Sequence, residues 1–168
     1  MSMLARLGTH RAATAVLAAI TGLYMLLVVF GNITDFTTNK DFVVHVLAMD
    51  TTFKTPGTIW RAITSEGLAI TAYILIIIWE ALTAVALIAA TIAWIRDPGG
   101  WAKRVTTIGL LMMIVLFGLG FIVIGGEWFQ MWQSKNWNGI EAAFRNVVLA
   151  AAALIVTHLP AGNGQRTT

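Results

Sequence analysis

The chain has 168 residues, of which 58% are hydrophobic and 11% charged, and its formal net charge is +3. A soluble domain of this length carries about a quarter charged residues, so the composition excludes an ordinary soluble fold. The 11 basic residues are spread along the chain rather than gathered in a stripe, which argues against nucleic acid as a partner, and the absence of cysteine excludes disulfides, thiolate metal sites and cysteine nucleophiles.

A hydrocarbon core about 30 Å thick is crossed by roughly 20 apolar residues in a helix, because each backbone N–H and C=O must be satisfied internally. Four stretches meet or approach that length, at Ala12 to Gly31, Leu68 to Ile95, Val105 to Gly126 and Ile140 to Leu159. The expected fold is therefore an all-α membrane protein of one domain with four transmembrane helices. Arg6 and Arg11 ahead of the first apolar run resemble the start of a signal peptide. The run is too long for that role and shows no small-residue cleavage site, so it reads as an uncleaved helix.

Between the first two spans lies the segment Asn32 to Gly67, too long for a simple connection and too apolar for disorder. Phe42, Val43, Val46, Leu47 and Met49 predict one face of a short interfacial helix, with a break at Pro56 and Gly57 before Trp60 to Ser65. The second outer loop, residues 127–139, holds Trp128, Phe129, Trp132 and Trp137, amphipathic rings suited to a headgroup zone. Its Gln130, Gln133, Ser134 and Asn136 are expected to bond headgroups or the Asn32 to Gly67 segment.

Arg6, Arg11, Arg96, Lys103, Arg104 and Arg166 fall on one side of a four-span arrangement. Lys40, Lys54, Arg61 and Lys135 fall on the other, together with Asp35, Asp41, Asp50, Glu66 and Glu127. Basic flanks favour the cytoplasm, so both termini are expected inside a bacterial inner membrane.

Few residues offer chemistry. Glu80 is a carboxylate within a span otherwise free of charge, and such a group costs a few kcal/mol unless it faces protein, water or a partner. Tyr73, Thr83, Ala84, Leu87 and Thr91 share its face at helical spacing. One use is a proton relay or ion-binding carboxylate; the other is an ion-paired or neutral group that fixes packing. Counted from the inner helix ends, Glu80 and Arg145 lie at depths differing by only about 3 Å at about 1.5 Å per residue, which predicts that they pair. Glu141, one turn before Arg145, is the competing partner.

In the outer loops Asp35, His45, Asp50 and Glu127, with Trp128 and Trp132 nearby, are candidate binding residues. His45 and Asp50 are the metal-ligand candidates, but neither H-x-x-x-H nor H-E-x-x-H spacing is present, so no metal or other cofactor is expected. His10 and His158 sit at helix ends rather than inside spans, which leaves a bis-histidine haem site without ligands. Catalytic signatures are lacking too: the chain has no G-x-S-x-G elbow and no phosphate loop after a strand, and its glycines and alanines read as positions where helices approach closely. The reading leans away from an enzyme.

The phrases Asn32-Ile-Thr-Asp35, His45-Val-Leu-Ala-Met-Asp-Thr-Thr-Phe53, Ile78-Trp79-Glu80, Gly125-Gly-Glu-Trp-Phe-Gln-Met-Trp-Gln-Ser134, Trp137-Asn-Gly139 and Phe144-Arg145 resemble the bacterial DUF2165 family of small integral membrane proteins. The resemblance implies a compact membrane unit and brings no substrate, cofactor or catalytic residue. With little reactive chemistry, the leading expectation is a non-catalytic accessory, assembly or stabilising subunit of a larger inner-membrane complex. Its partners are lipid and a membrane protein or further copies of itself. The alternative is a small proton- or ion-coupled transporter or channel that uses Glu80, and a third reading is a membrane enzyme or metal carrier built on His45, Asp50 and Glu127.

Overall fold

In a computed structural model of the protein, described for residues 9–96 and 100–160, four long helices form an antiparallel bundle. Helix α1 spans His10–Thr34, α3 Glu66–Arg96, α4 Gly100–Trp128 and α5 Ile140–His158; α2, Phe36–Ala48, stands between the first two. All four long helices have the length and apolarity to cross a membrane. Arg6 and Arg166, which entered the charge argument, lie outside the described residues.

Helix α1 packs on α3, α3 on α4, α4 on α5 and α5 on α1, which sets α3 and α5 across a diagonal. The inward stripe of α1 is Thr14, Ala18, Thr21, Gly22, Met25 and Val29, and that of α5 is Ala143, Asn146, Ala150, Ala153 and Thr157. Both recur at three- and four-residue steps, the period of one helical face. The opposite faces show Leu23, Leu27, Phe30, Leu75, Leu82, Val85, Val148 and Ile155, exposed apolar side chains suited to an apolar surrounding. The buried threonines add no free polarity. Thr14, Thr21, Thr83, Thr106 and Thr157 each donate to the carbonyl four residues back at 2.7–3.0 Å.

At the end where α1 begins and α5 ends, Arg11 donates from Nε to the Trp94 carbonyl at 2.7 Å and from Nη2 to the Ile95 carbonyl at 2.5 Å. A guanidinium on the last carbonyls of α3 satisfies acceptors the helix cannot use and faces the negative end of its dipole. His10 and His158 serve the same end, bonding the Val156 carbonyl at 2.7 Å and the Thr107 hydroxyl at 2.9 Å.

At the other end α2 covers the bundle. It starts at Phe36, six residues before the apolar face that predicted it, because the chain turns at Asp35 and resumes a helix at once. Met49, buried and left-handed at φ 51°, ends it. Phe36 packs on Tyr73 at 5.0 Å, Phe42 on Phe121 at 6.3 Å and on Trp137 at 6.2 Å. Lys40 reaches both Asp41 and Glu66 at 3.3 and 3.4 Å. Asp41 first, then Glu66, holds its ammonium above the ordinary pKa of 10.5.

The helix that contains the third apolar stretch, Val105 to Gly126, runs from Gly100 to Trp128 and takes in Lys103 and Arg104 in its first turns and Glu127 and Trp128 in its last. From Val115 onward it is a π-helix, ending with the Phe129 N–H on the Ile124 carbonyl, five residues back, at 3.0 Å. The two loops at this end join each other as well as covering the bundle. The Thr51 hydroxyl donates to Ser134 Oγ at 2.8 Å, and the Phe53 N–H donates to the Gln133 side-chain Oε1 at 2.8 Å. Arg61 donates to the Trp128 carbonyl at 3.3 Å, and its guanidinium lies 5.6 and 4.7 Å from the Trp60 and Trp128 rings, which pack edge to face on each other at 5.8 Å. Gln133 and Ser134 thus take the loop as partner, as one branch of the expectation had it. Trp128 and Trp132 remain about half exposed, at 47% and 48%.

Candidate functional site

Glu80 is the fifteenth of the 31 residues of α3 and is 2% exposed. Side chains lean toward the N-terminus of their helix. On α3 that direction points to the α2 end; on the antiparallel α1 it points away from it. Glu80 and Asn32 therefore lean toward each other, and Asn32 Nδ2 donates to Glu80 Oε2 at 2.7 Å. The Asn32 backbone is held in turn by the Tyr73 hydroxyl, which donates to its carbonyl at 2.9 Å from two turns above Glu80. Glu80 Oε1 has no hydrogen-bond partner among the described residues.

The carboxylate lines an open-sided cavity of about 220 Å³ among residues of α1, α2, α3, α4 and α5. Four aromatic rings, Phe42, Tyr73, Phe117 and Phe121, and the two amides Asn32 and Asn39 share the wall, and no lysine, arginine or histidine does. A second cavity of about 200 Å³ shares Phe42, Val43, Ile76 and Phe121 with the first; all its lining side chains are apolar. Toward the chain termini the bundle closes, with Met25, Leu87, Leu110 and Met113 fully buried in one apolar core.

Glu80 and Arg145 do not pair. Arg145 turns outward at 70% side-chain exposure and bonds Glu141, itself 86% exposed, at 3.4 Å one turn away on α5. Matched depth fixed only one of the two coordinates of a side chain on a bundle. The other is the angle around the helix, and Arg145 stands two residues, about 200°, from the inward Ala143. Glu80 also belongs to the helix diagonal to α5.

His45 and Asp50 do meet, Nδ1 to Oδ2 at 2.7 Å, with the imidazole stacked on Trp137 at 4.5 Å. Asp35 is exposed at the turn between α1 and α2, and Glu127 is exposed near the end of α4, where its carbonyl accepts from the Gln130 amide. Among the described residues no three His, Asp or Glu side chains gather as a metal set. Sequence places Tyr73 on the face of Glu80 and Phe42 on the interfacial helix, but it misses Asn32, Phe117 and Phe121 as their neighbours. The signal for Asn32 is an amide two residues before the end of an apolar span; Phe117 and Phe121 give none, since phenylalanine is ordinary in any lipid-facing helix.

The family model for predicted small integral membrane proteins, DUF2165, matches residues 10–160. No curated protein and no solved structure matches the chain. The chain belongs to the DUF2165 family, and the quoted phrases from Asn32 to Arg145 lie within the matched region.

Proposed function

We propose that this DUF2165 membrane protein is a binding protein whose working group is Glu80, reached from the α2 end of the bundle. The observation that carries the reading is a carboxylate 2% exposed that lines a cavity of about 220 Å³ and has a protein partner, Asn32, on only one of its two oxygens among the described residues. Oε1 keeps a trace of accessible surface, so a ligand or water that enters the cavity can meet it, whereas Oε2 is taken by Asn32. The apolar core toward the termini gives this state no through path, so an ion- or proton-coupled transporter would need a second conformation that opens it. The test is modification of the protein in lipid by a membrane-permeable carbodiimide, followed by mass spectrometry of the Glu80 peptide. Reaction at Glu80 is expected; an inert Glu80 beside reactive loop carboxylates would overturn the reading.

A second reading, an accessory or stabilising subunit of a larger membrane complex, draws on α5. The Glu141–Arg145 pair lies exposed with Phe144 and Val148, polar and apolar groups on one outward face. Purification in mild detergent should then retain a membrane-protein partner, lost on substitution of Arg145 and Phe144 together; a wild type that emerges without one argues against it. The basic residues described at the terminal end, Arg11, Arg96, Lys103 and Arg104, support a cytoplasmic location for that end in a bacterial inner membrane.

A further inference from the structure

We infer that the Glu80 cavity takes a small organic cation, a substituted ammonium with a short apolar substituent. The inference rests on the reading of Glu80 as a binding group and names the class of its ligand.

The protein leaves the negative end of this cavity without a positive one. Asn32 supplies Glu80 with a dipole, and among the twelve lining residues none is cationic, so the complement to an ionised Glu80 comes from outside the chain. Four rings from three helices share the wall with the carboxylate. Phe117 and Phe121 sit at 5.6 Å from each other, and Phe42 lies against Phe121 at 6.3 Å. Ring faces attract cations within about 6 Å, and most strongly those that shed water easily, which is the property of an alkylated ammonium. A hard divalent ion asks for about six oxygen donors, and this wall offers one carboxylate and two side-chain amides.

Size narrows the class further. Pockets for drug-sized ligands measure about 300–1,000 Å³, whereas the Glu80 cavity is about 220 Å³, room for a compact head group. The adjoining cavity of about 200 Å³ reaches Leu47, Leu116, Ile124 and Met131 and offers no polar side chain. The two adjoin at Phe42, Val43, Ile76 and Phe121, so a substituent on the nitrogen that displaces these side chains would enter apolar space.

The experiment uses the full chain in lipid nanodiscs and calorimetric titration with tetramethylammonium, butyltrimethylammonium and the neutral tert-butyl isostere of the latter, at constant ionic strength. Saturable binding of both cations is expected, with a gain of up to about fourfold per added methylene and no comparable binding of the neutral isostere. Glu80→Gln should weaken binding at least tenfold and Phe121→Leu about two- to fivefold. Should Glu80→Gln fail to fold, butyltrimethylammonium is expected to slow carbodiimide modification of wild-type Glu80 at least tenfold. Equal binding of cation and isostere, an unaffected Glu80→Gln, or no saturable binding overturns the inference. If Glu80 reacts with the carbodiimide and the ammonium does not slow it, the ligand class is wrong and the binding reading stands. If Glu80 is inert, the binding reading itself falls.

Discussion

Asn32 and Glu80 are one unit although they stand 48 residues apart. Asn32→Ala removes the only donor to Glu80 among the described residues and should lower stability by about 1–3 kcal/mol, the cost of an unpaired buried polar group. Combining it with Glu80→Ala should cost less than the sum of the two single changes by more than about 0.5 kcal/mol, because the second substitution removes the group that the first left unsatisfied. Unfolding in detergent, followed by tryptophan fluorescence, measures both, and strict additivity would separate the two residues. Arg145 gives the contrast. Its pair with Glu141 is open on both sides, and such a pair contributes about 0.3–0.5 kcal/mol, so Arg145→Ala should shift the same unfolding curve very little.

The contact between α1 and α3 depends on Gly22. A Cβ there would meet Leu87 Cβ at 3.1 Å and the Ile88 backbone nitrogen at 3.2 Å, and backbone cannot step aside as a side chain can. Gly22→Ala should therefore force the helices apart at about 1–3 kcal/mol. Gly31→Ala, on the same helix with nothing within 4 Å, should be neutral or stabilising by up to about 1 kcal/mol, and the two unfolding midpoints compared under one condition check the argument.

The cover helix α2 is held partly by Lys40. Its pKa is raised in the folded state, so the stabilisation is fully present below about pH 10 and is lost as pH rises through the folded value. The stability difference between wild type and Lys40→Gln should shrink toward zero as pH is raised above about 10. A difference constant to high pH would mean that Lys40 acts through its methylenes alone.

On the scale of the whole molecule the bundle has two unlike ends, one closed by apolar packing and bound by Arg11, the other roofed by α2 and two joined loops. The chain has no cysteine, so single reporters can be introduced without background. A membrane-impermeant maleimide should label Thr55→Cys, exposed at the α2 end, from outside the cell membrane, and Trp101→Cys, exposed at the start of α4, only after that membrane is opened. The reverse pattern would invert the orientation and place the Glu80 cavity on the cytoplasmic side.

Sequence alone determined the four spans, the helical segment after the first of them and the isolation of Glu80, because lipid demands continuous apolar helices and makes any charge within them conspicuous. The helices that contain the first, second and fourth apolar stretches end within three residues of them. Tertiary structure decided which groups meet. Depth along a helix can be counted from sequence, but the angle of each helix, the order of neighbours and the lean of antiparallel side chains cannot. That is why Arg145 turned outward while Asn32, an uncharged amide near the end of α1, became the partner of Glu80. It is also why four unremarkable rings from three helices became the wall of one cavity.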